Sequence, residues 1–232
     1  MKPFLPFLLI FTLHLAAILA GSEYWAALTK PLLMSSLLAV VVWQPCLRGS
    51  VRQALQNRRL KGLLMGGLLL SLAGDVLLIF QQKASIYFML GLAAFLLAHV
   101  CYIIVFLGMR RQAGVQGTFK KIPFMLVAVY AVGLLALLWP GLGGMTAPVV
   151  VYAAVISTML LAALHAVPKG SGGGPWLGVL GASLFVLSDS LLAINKFHTP
   201  FQSAGFFIML TYGLAQLLIT YWTLNRLKAV NS

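Results

Sequence analysis

Eight times along its 232 residues the chain enters an apolar stretch close to the length of a membrane span, and this rhythm restricts the fold more than any other property. A helix rising 1.5 Å per residue needs roughly 20 apolar residues to cross about 30 Å of hydrocarbon. The stretches are Phe4–Ala20, Tyr24–Trp43, Leu60–Phe80, Ile86–Gly108, Ile122–Trp139, Ala147–Ala166, Trp176–Ile194 and Phe201–Leu224. They predict eight transmembrane helices. Unbroken runs rather than alternation exclude a lipid-facing barrel, and backbone groups in lipid must be satisfied within the segment. A soluble domain is excluded by composition: 61% of residues are hydrophobic, 8% are charged, and the mean hydropathy is +1.00, too little polar surface to cover a core.

The net charge of +13 would suit nucleic acid if it were spread over one surface, but thirteen of the sixteen basic residues fall on one side of the expected bundle. Arg48, Arg52, Arg58, Arg59 and Lys61 occupy the second connection, Arg110, Arg111, Lys120 and Lys121 the fourth, with Lys2, Lys169, Arg226 and Lys228 beside them. Only Lys83 and Lys196 lie in loops opposite. This asymmetry sets orientation and can touch anionic lipid. The expectation is an integral protein of a bacterial inner membrane, both termini cytoplasmic, with no nucleic-acid partner and an open oligomeric state. The Lys2 start followed by an apolar run and Ala20-Gly21-Ser22 imitates an export signal, but the run is long for one and has a counterpart later in the chain. Cys46 and Cys101 lie within a span or toward the cytoplasmic side, which argues against a disulfide.

Two of the three acidic residues lie inside spans, in nearly the same wording: Gly67 to Leu78 and Gly181 to Leu192 both read G-x7-D-x-L-L, placing Asp75 and Asp189 114 residues apart. A charge at membrane depth costs at least about 2.5 to 3.5 kcal/mol and is kept for pairing, proton transfer or chemistry. Other matches recur at an offset of 117. Leu5-Pro6-Phe7 falls on Ile122-Pro123-Phe124, Thr29-Lys30-Pro31 on Thr146-Ala147-Pro148, and Leu97-Ala98-His99 on Leu214-Ala215-Gln216. Duplication of a four-helix unit follows, residues 1–116 and 117–232, the copies oriented alike about an axis along the membrane normal. Asp75 and Asp189 are then expected to face each other, each about five residues from the outer end of its span.

Lys30, Tyr152 and Asn195 fall at comparable depth, with His99, Tyr102 and Gln216 as a deeper floor. Each also has a structural reading. Lys30 can snorkel on its long stem, His99 and Gln216 can be interhelical hydrogen-bond glue, and Tyr152 can be packing. His14, His165 and His198, near span ends or scattered, are not assigned to the site. Gly170 to Gly174 lacks the Lys-Ser/Thr ending of a phosphate loop and reads as a flexible connection. Two carboxyl groups sharing a low-dielectric site do not both ionise readily, so one can hold a proton while the other is charged, the arrangement of a general acid with a general base.

Lys30-Pro31, Gly74-Asp75, Phe95 with His99 and Tyr102, Pro148 with Tyr152, and Phe185-x-x-Ser188-Asp189 with Asn195 resemble the YhhN family of eight-span proteins, whose animal members are lysoplasmalogenases. The resemblance covers essentially the whole chain. It implies a lysophospholipid substrate within membrane lipid and hydrolysis of its vinyl ether to a fatty aldehyde and glycerophosphoethanolamine or glycerophosphocholine. Asp75 and Asp189 would be the acid–base pair, in roles the sequence does not distribute. Lys30 would contact the phosphate or leaving oxygen, with Tyr152 and Asn195 orienting the head group, and no metal or organic cofactor is required. Three rivals remain: a proton-coupled small-molecule or lipid transporter, an intramembrane aspartyl protease with a degraded G-x-G-D element at Asp75, and a non-catalytic lipid-binding or scaffold protein.

Overall fold

The computed structural model describes residues 2–44, 51–115, 121–167, 174 and 176–229; Cys46, Arg48, Lys120, Lys169 and most of the Gly170 to Gly174 connection lie outside them. The described residues are all-helical: α1 (Leu5–Leu19), α2 (Glu23–Trp43), α3 (Val51–Ile79), α4 (Ser85–Gln112), α5 (Lys121–Leu142), α6 (Thr146–His165), α7 (Trp176–Phe197) and α8 (Ala204–Ala229), with 3-10 turns at Lys2–Phe4 and Gly143–Met145. Seven stretches among them are long and apolar enough to cross a membrane, one being the 45-residue Lys121–His165 that contains both α5 and α6. Aromatic residues stand exposed near helix ends, as interfacial anchors do: Tyr24 and Trp25 open α2, Trp43 closes it at 89% exposure, and Trp139 and Trp176 lie near the ends of α5 and α7.

Local chemistry explains the turns. Ala20-Gly21-Ser22, the imitation of a cleavage site, is a helix stop and restart. Gly21 takes φ +68°, its N–H donates to Ile18 O and that of Ser22 to Ala17 O, both at 3.0 Å, the paired bonds of a glycine-terminated helix. Ser22 then caps α2 by accepting the Trp25 N–H. At the far end of α2, Lys61 Nζ donates to the carbonyls of Val42 (3.3 Å) and Gln44 (2.7 Å), so a residue read as a topogenic charge also closes a helix terminus. Gly143, at φ +47°, makes the reversal between α5 and α6.

Two expectations need correction. The second connection is shorter than predicted, because α3 begins at Val51 and carries Arg58, Arg59 and Lys61 on its first turns; a basic segment with helix-favouring Leu, Gln and Arg continues the helix beyond the hydrocarbon. The aspartates are also not equally far from their helix ends. Asp75 lies four residues before Ile79, but α7 continues through Asn195-Lys196 to Phe197, eight residues past Asp189, and stops where Thr199 precedes Pro200.

Contacts divide the chain into two units, residues 1–105 with 223–232, and residues 106–222. In the first, Phe7 and Phe11 stack at 5.6 Å on α1 and Leu33, Leu37, Leu64 and Leu68 are fully buried. In the second, Phe106 and Trp222 pack at 5.1 Å and Phe185 meets Tyr212 edge-on at 5.5 Å. The glycines of the repeated motif have one job in both units. A Cβ on Gly67 would sit 2.6 Å from the Tyr102 ring, and one on Gly74 2.6 Å from that of Phe95. On Gly181 it would sit 3.0 Å from Ile219 N, and on Gly178 2.7 Å from the Trp222 ring. Each glycine lets the aspartate helix approach the helix that follows it, as small residues do where lipid supplies no hydrophobic drive.

Candidate active site

In the first unit α3 carries Asp75, 1% exposed. Its Oδ1 lies 3.6 Å from Lys30 Nζ, delivered by α2 one residue before Pro31. At that separation the contact is an ion pair rather than a short hydrogen bond. Lys30 therefore does not only snorkel; its ammonium lies beside the buried carboxylate that compensates it.

The neighbouring residue on α2 holds a group that sequence reasoning set aside. His14 of α1, 1% exposed, has Nδ1 2.8 Å from Thr29 Oγ1. The Thr29 hydroxyl donates to the Trp25 carbonyl at 2.7 Å, so its oxygen is left to accept and Nδ1 carries the ring proton. Nε2 is then a buried acceptor without a hydrogen-bond partner among the described residues. The signal in the sequence was a histidine in the middle of an apolar run rather than near its end.

In the second unit Asp189, half-buried on α7, accepts a hydrogen bond at Oδ2 from the Tyr152 hydroxyl of α6 at 2.6 Å. One helical position further on, Ser190 accepts from the Tyr130 hydroxyl of α5 at 2.8 Å and passes its own proton to the Val186 carbonyl at 2.7 Å. Ser188, on the opposite side, ties α7 to α8 by donating to the Ile208 carbonyl at 3.0 Å. Asp189 and Tyr152 open into a cleft with an empty volume of about 440 Å³ between α5, α6 and α7, its other walls chiefly Leu, Val, Ile and Ala. The Tyr130–Ser190 pair was missed because neither residue repeats at the offset of 117.

Asn195 Oδ1 accepts the Phe201 N–H at 3.2 Å and organises the turn after α7. His99 and Tyr102 are fully buried on α4, Tyr102 against Gly67, and Gln216 is fully buried on α8. Of the predicted residues, Lys30 comes together with Asp75 and Tyr152 with Asp189. Cys101 is a free thiol.

The YhhN family model matches residues 25–222, which include both aspartates and both partners. The chain belongs to the YhhN family. Among curated proteins it is 38% identical over 161 residues to the lysoplasmalogenase of Mycobacterium bovis, covering 68% of this chain and 58% of that protein. It is 36% identical over 160 residues to human lysoplasmalogenase TMEM86B, covering 68% and 62%, and 32% identical over 157 residues to human lysoplasmalogenase TMEM86A, covering 66% and 61%. The matched stretch thus spans about three-fifths of each relative. No solved structure matches the chain. His14 lies outside the family match, whereas Tyr130 and Ser190 lie inside it.

Proposed function

We propose that this YhhN protein is a membrane-embedded lysoplasmalogenase in which Asp189 is the general acid and Asp75 the general base. The observation that carries the reading is the Tyr152–Asp189 pair in the wall of an apolar cleft, in a chain whose relatives bear the name lysoplasmalogenase.

Vinyl ether hydrolysis begins with slow proton transfer to the alkene carbon distal to the oxygen, leaving an oxocarbenium ion. Tyr152 donates to Oδ2 of Asp189, and in this mechanism the same carboxyl group carries the proton that is transferred. As that proton departs, negative charge grows on the carboxyl group and the short O–H···O bond strengthens, so Tyr152 stabilises the transition state more than the ground state. Asp75, beside the Lys30 ammonium, is suited to stay a carboxylate; it stabilises the cation and accepts a proton from the water that adds to it. The hemiacetal then collapses to aldehyde and glycerol hydroxyl, consuming one water; Asp75 ends the turnover protonated and Asp189 ionised, and exchange with solvent water takes the proton from Asp75 and restores one to Asp189 before the next. Lys30, besides holding Asp75, supplies the positive charge for the substrate phosphate.

The proposed frame is eight spans with both termini on the basic face. The 45-residue segment from Lys121 to His165 is about 68 Å long as helix, enough for two crossings of a bilayer core, and the four-helix copies 1–116 and 117–232 run parallel. The test is incubation of the purified protein in detergent with a lysoplasmalogen and with its saturated-ether counterpart. Aldehyde from the first alone is expected. Fatty acid released from an ester lysolipid would mean a different reaction class, and vectorial uptake without aldehyde would favour a transporter.

A further inference from the structure

Three helix faces meet in the second unit with one alanine each: Ala131 on α5, Ala153 on α6 and Ala193 on α7 all line the cleft beside Asp189. Larger side chains at these positions would fill the space. One end is closed by the cluster of Leu138, Leu142 and Val149, against which Ile194 and Phe197 pack, and near the other the Tyr130–Ser190 bond joins α5 to α7. From Tyr130 to Leu138 the cleft follows α5 for about 12 Å at 1.5 Å per residue. Apart from Tyr130, Tyr152, Ser157, Asp189 and Ser190, the residues along it are Ala, Leu, Val and Ile.

Resting on the lysoplasmalogenase reading, we propose that this cleft is the seat of the substrate's single hydrocarbon chain, which lies lengthwise between α5, α6 and α7 and presents its vinyl ether to Asp189. An apolar slot forfeits dispersion contacts unless something apolar fills it. A chain entering from the bilayer exchanges one apolar solvent for another, so the hydrophobic effect does not select it. Shape selects it instead: the slot is opened by small side chains on three converging helices, which suits one chain rather than the two of a diacyl lipid. The carboxyl group in the wall gives that chain a fixed register, because only the chain of a bound substrate brings a reactive carbon to Asp189.

The probe is the saturated 1-O-hexadecyl lysophosphoethanolamine, which cannot react, with glycerophosphoethanolamine as the chainless comparison, both measured for binding to the full chain in detergent. Ala153→Phe and Ala193→Phe are each expected to weaken the hexadecyl lipid roughly tenfold by overfilling the slot while leaving glycerophosphoethanolamine unchanged. Val132→Phe, on the outward face of α5 at 66% exposure, is expected to change neither. Equal binding of the hexadecyl lipid by wild type and both alanine variants would overturn the proposal, as would parallel losses for both ligands. If the variants do not fold, a photoreactive group placed along the hexadecyl chain decides in the wild-type protein: labelling of cleft residues supports the proposal, and labelling confined elsewhere overturns it. Labelling in the cleft with no aldehyde from lysoplasmalogen would sink the enzymatic reading and leave the chain site standing.

Discussion

Asp75 meets an ammonium across 3.6 Å while Asp189 takes a phenolic hydroxyl at 2.6 Å, although each occupies the same place in a G-x7-D-x-L-L pattern. In both cases the partner comes from the helix just before the aspartate helix, α2 for α3 and α6 for α7. It does not come from the matching position. At the offset of 117, Lys30 corresponds to Ala147 and Tyr152 to Ser35, so the copies keep the carboxyl group and re-source its partner. The same offset sets His14, buried against α2, over Ala131, which opens the cleft. At this position the first unit is filled by a buried histidine and its carboxylate meets an ammonium, whereas the second is open to a cleft beside its carboxyl group. In the proposed mechanism that difference gives two like residues unlike roles.

The comparison is broken most directly by removing each carboxyl group in turn. Asp75→Asn and Asp189→Asn are both expected to lose about 10² to 10⁴ in turnover, the contribution of general acid–base catalysis. Their stabilities should differ. Asp75→Asn strands the Lys30 ammonium, a loss of about 1 to 3 kcal/mol, below the roughly 3 to 5 typical of a broken buried pair because the Lys30 side chain keeps 18% exposure. Asp189→Asn still accepts the Tyr152 hydroxyl and should lose under about 1 kcal/mol. Thermal unfolding in detergent alongside aldehyde release reads both, and equal stability losses would erase the distinction.

Glycine substitutions probe the packing that sets each aspartate helix. A Cβ on Gly141 would run into the Phe197 carbonyl oxygen, a backbone atom, whereas on Gly67 it would meet the Tyr102 ring, which can turn. Gly141→Ala should therefore cost about 3 kcal/mol or more and Gly67→Ala about 1 to 2 kcal/mol, read as the gap between their unfolding midpoints. A smaller loss for Gly141→Ala would show that the α5–α7 contact at the closed end of the cleft is looser than its geometry.

Much of this was legible in the chain. Span lengths located the helical stretches among the described residues, because lipid imposes a length that sequence cannot hide, and the price of an intramembrane carboxylate singled out both aspartates. Lys30 and Tyr152 were legible as polar groups near the right depth, but their pairing was not, since it depends on helix rotation. The extra turn of α7 past Ile194 escaped because Asn195 and Lys196 end a hydropathy run without ending a helix. Tyr130 and Ser190 escaped because a hydroxyl in an apolar helix satisfies itself on its own backbone, as Ser190 does on Val186, and reads as filler. The exact boundaries of the contact units, at 105/106 and 222/223, were not legible, because they fall inside α4 and α8 rather than in connections.

Tyr152→Phe sharpens the acid assignment. It removes one hydrogen bond to a group that becomes charged, worth about 1.5 to 3 kcal/mol, and so should lower kcat roughly ten- to hundredfold with KM little changed, since the bond strengthens only as the proton leaves. A rise in KM with kcat intact would return Tyr152 to head-group binding and leave Asp189 without its distinguishing partner.

The smallest expected effect tests whether the filled unit is filled for structure alone. His14→Leu removes the Nδ1–H donor to Thr29, yet the Thr29 hydroxyl keeps the Trp25 carbonyl as its acceptor, so no donor is stranded. The same change deletes Nε2, a buried acceptor with no hydrogen-bond partner among the described residues, and replacing an under-satisfied polar group by an apolar one of similar size is close to neutral. A stability change under about 1 kcal/mol and turnover within about threefold of wild type are expected, because the Lys30–Asp75 pair does not depend on either ring nitrogen. A hundredfold loss of kcat at unchanged stability would instead place the Nε2 lone pair in the chemistry beside Asp75. The two halves would then differ not as filled and open, but as two separately equipped proton-handling sites.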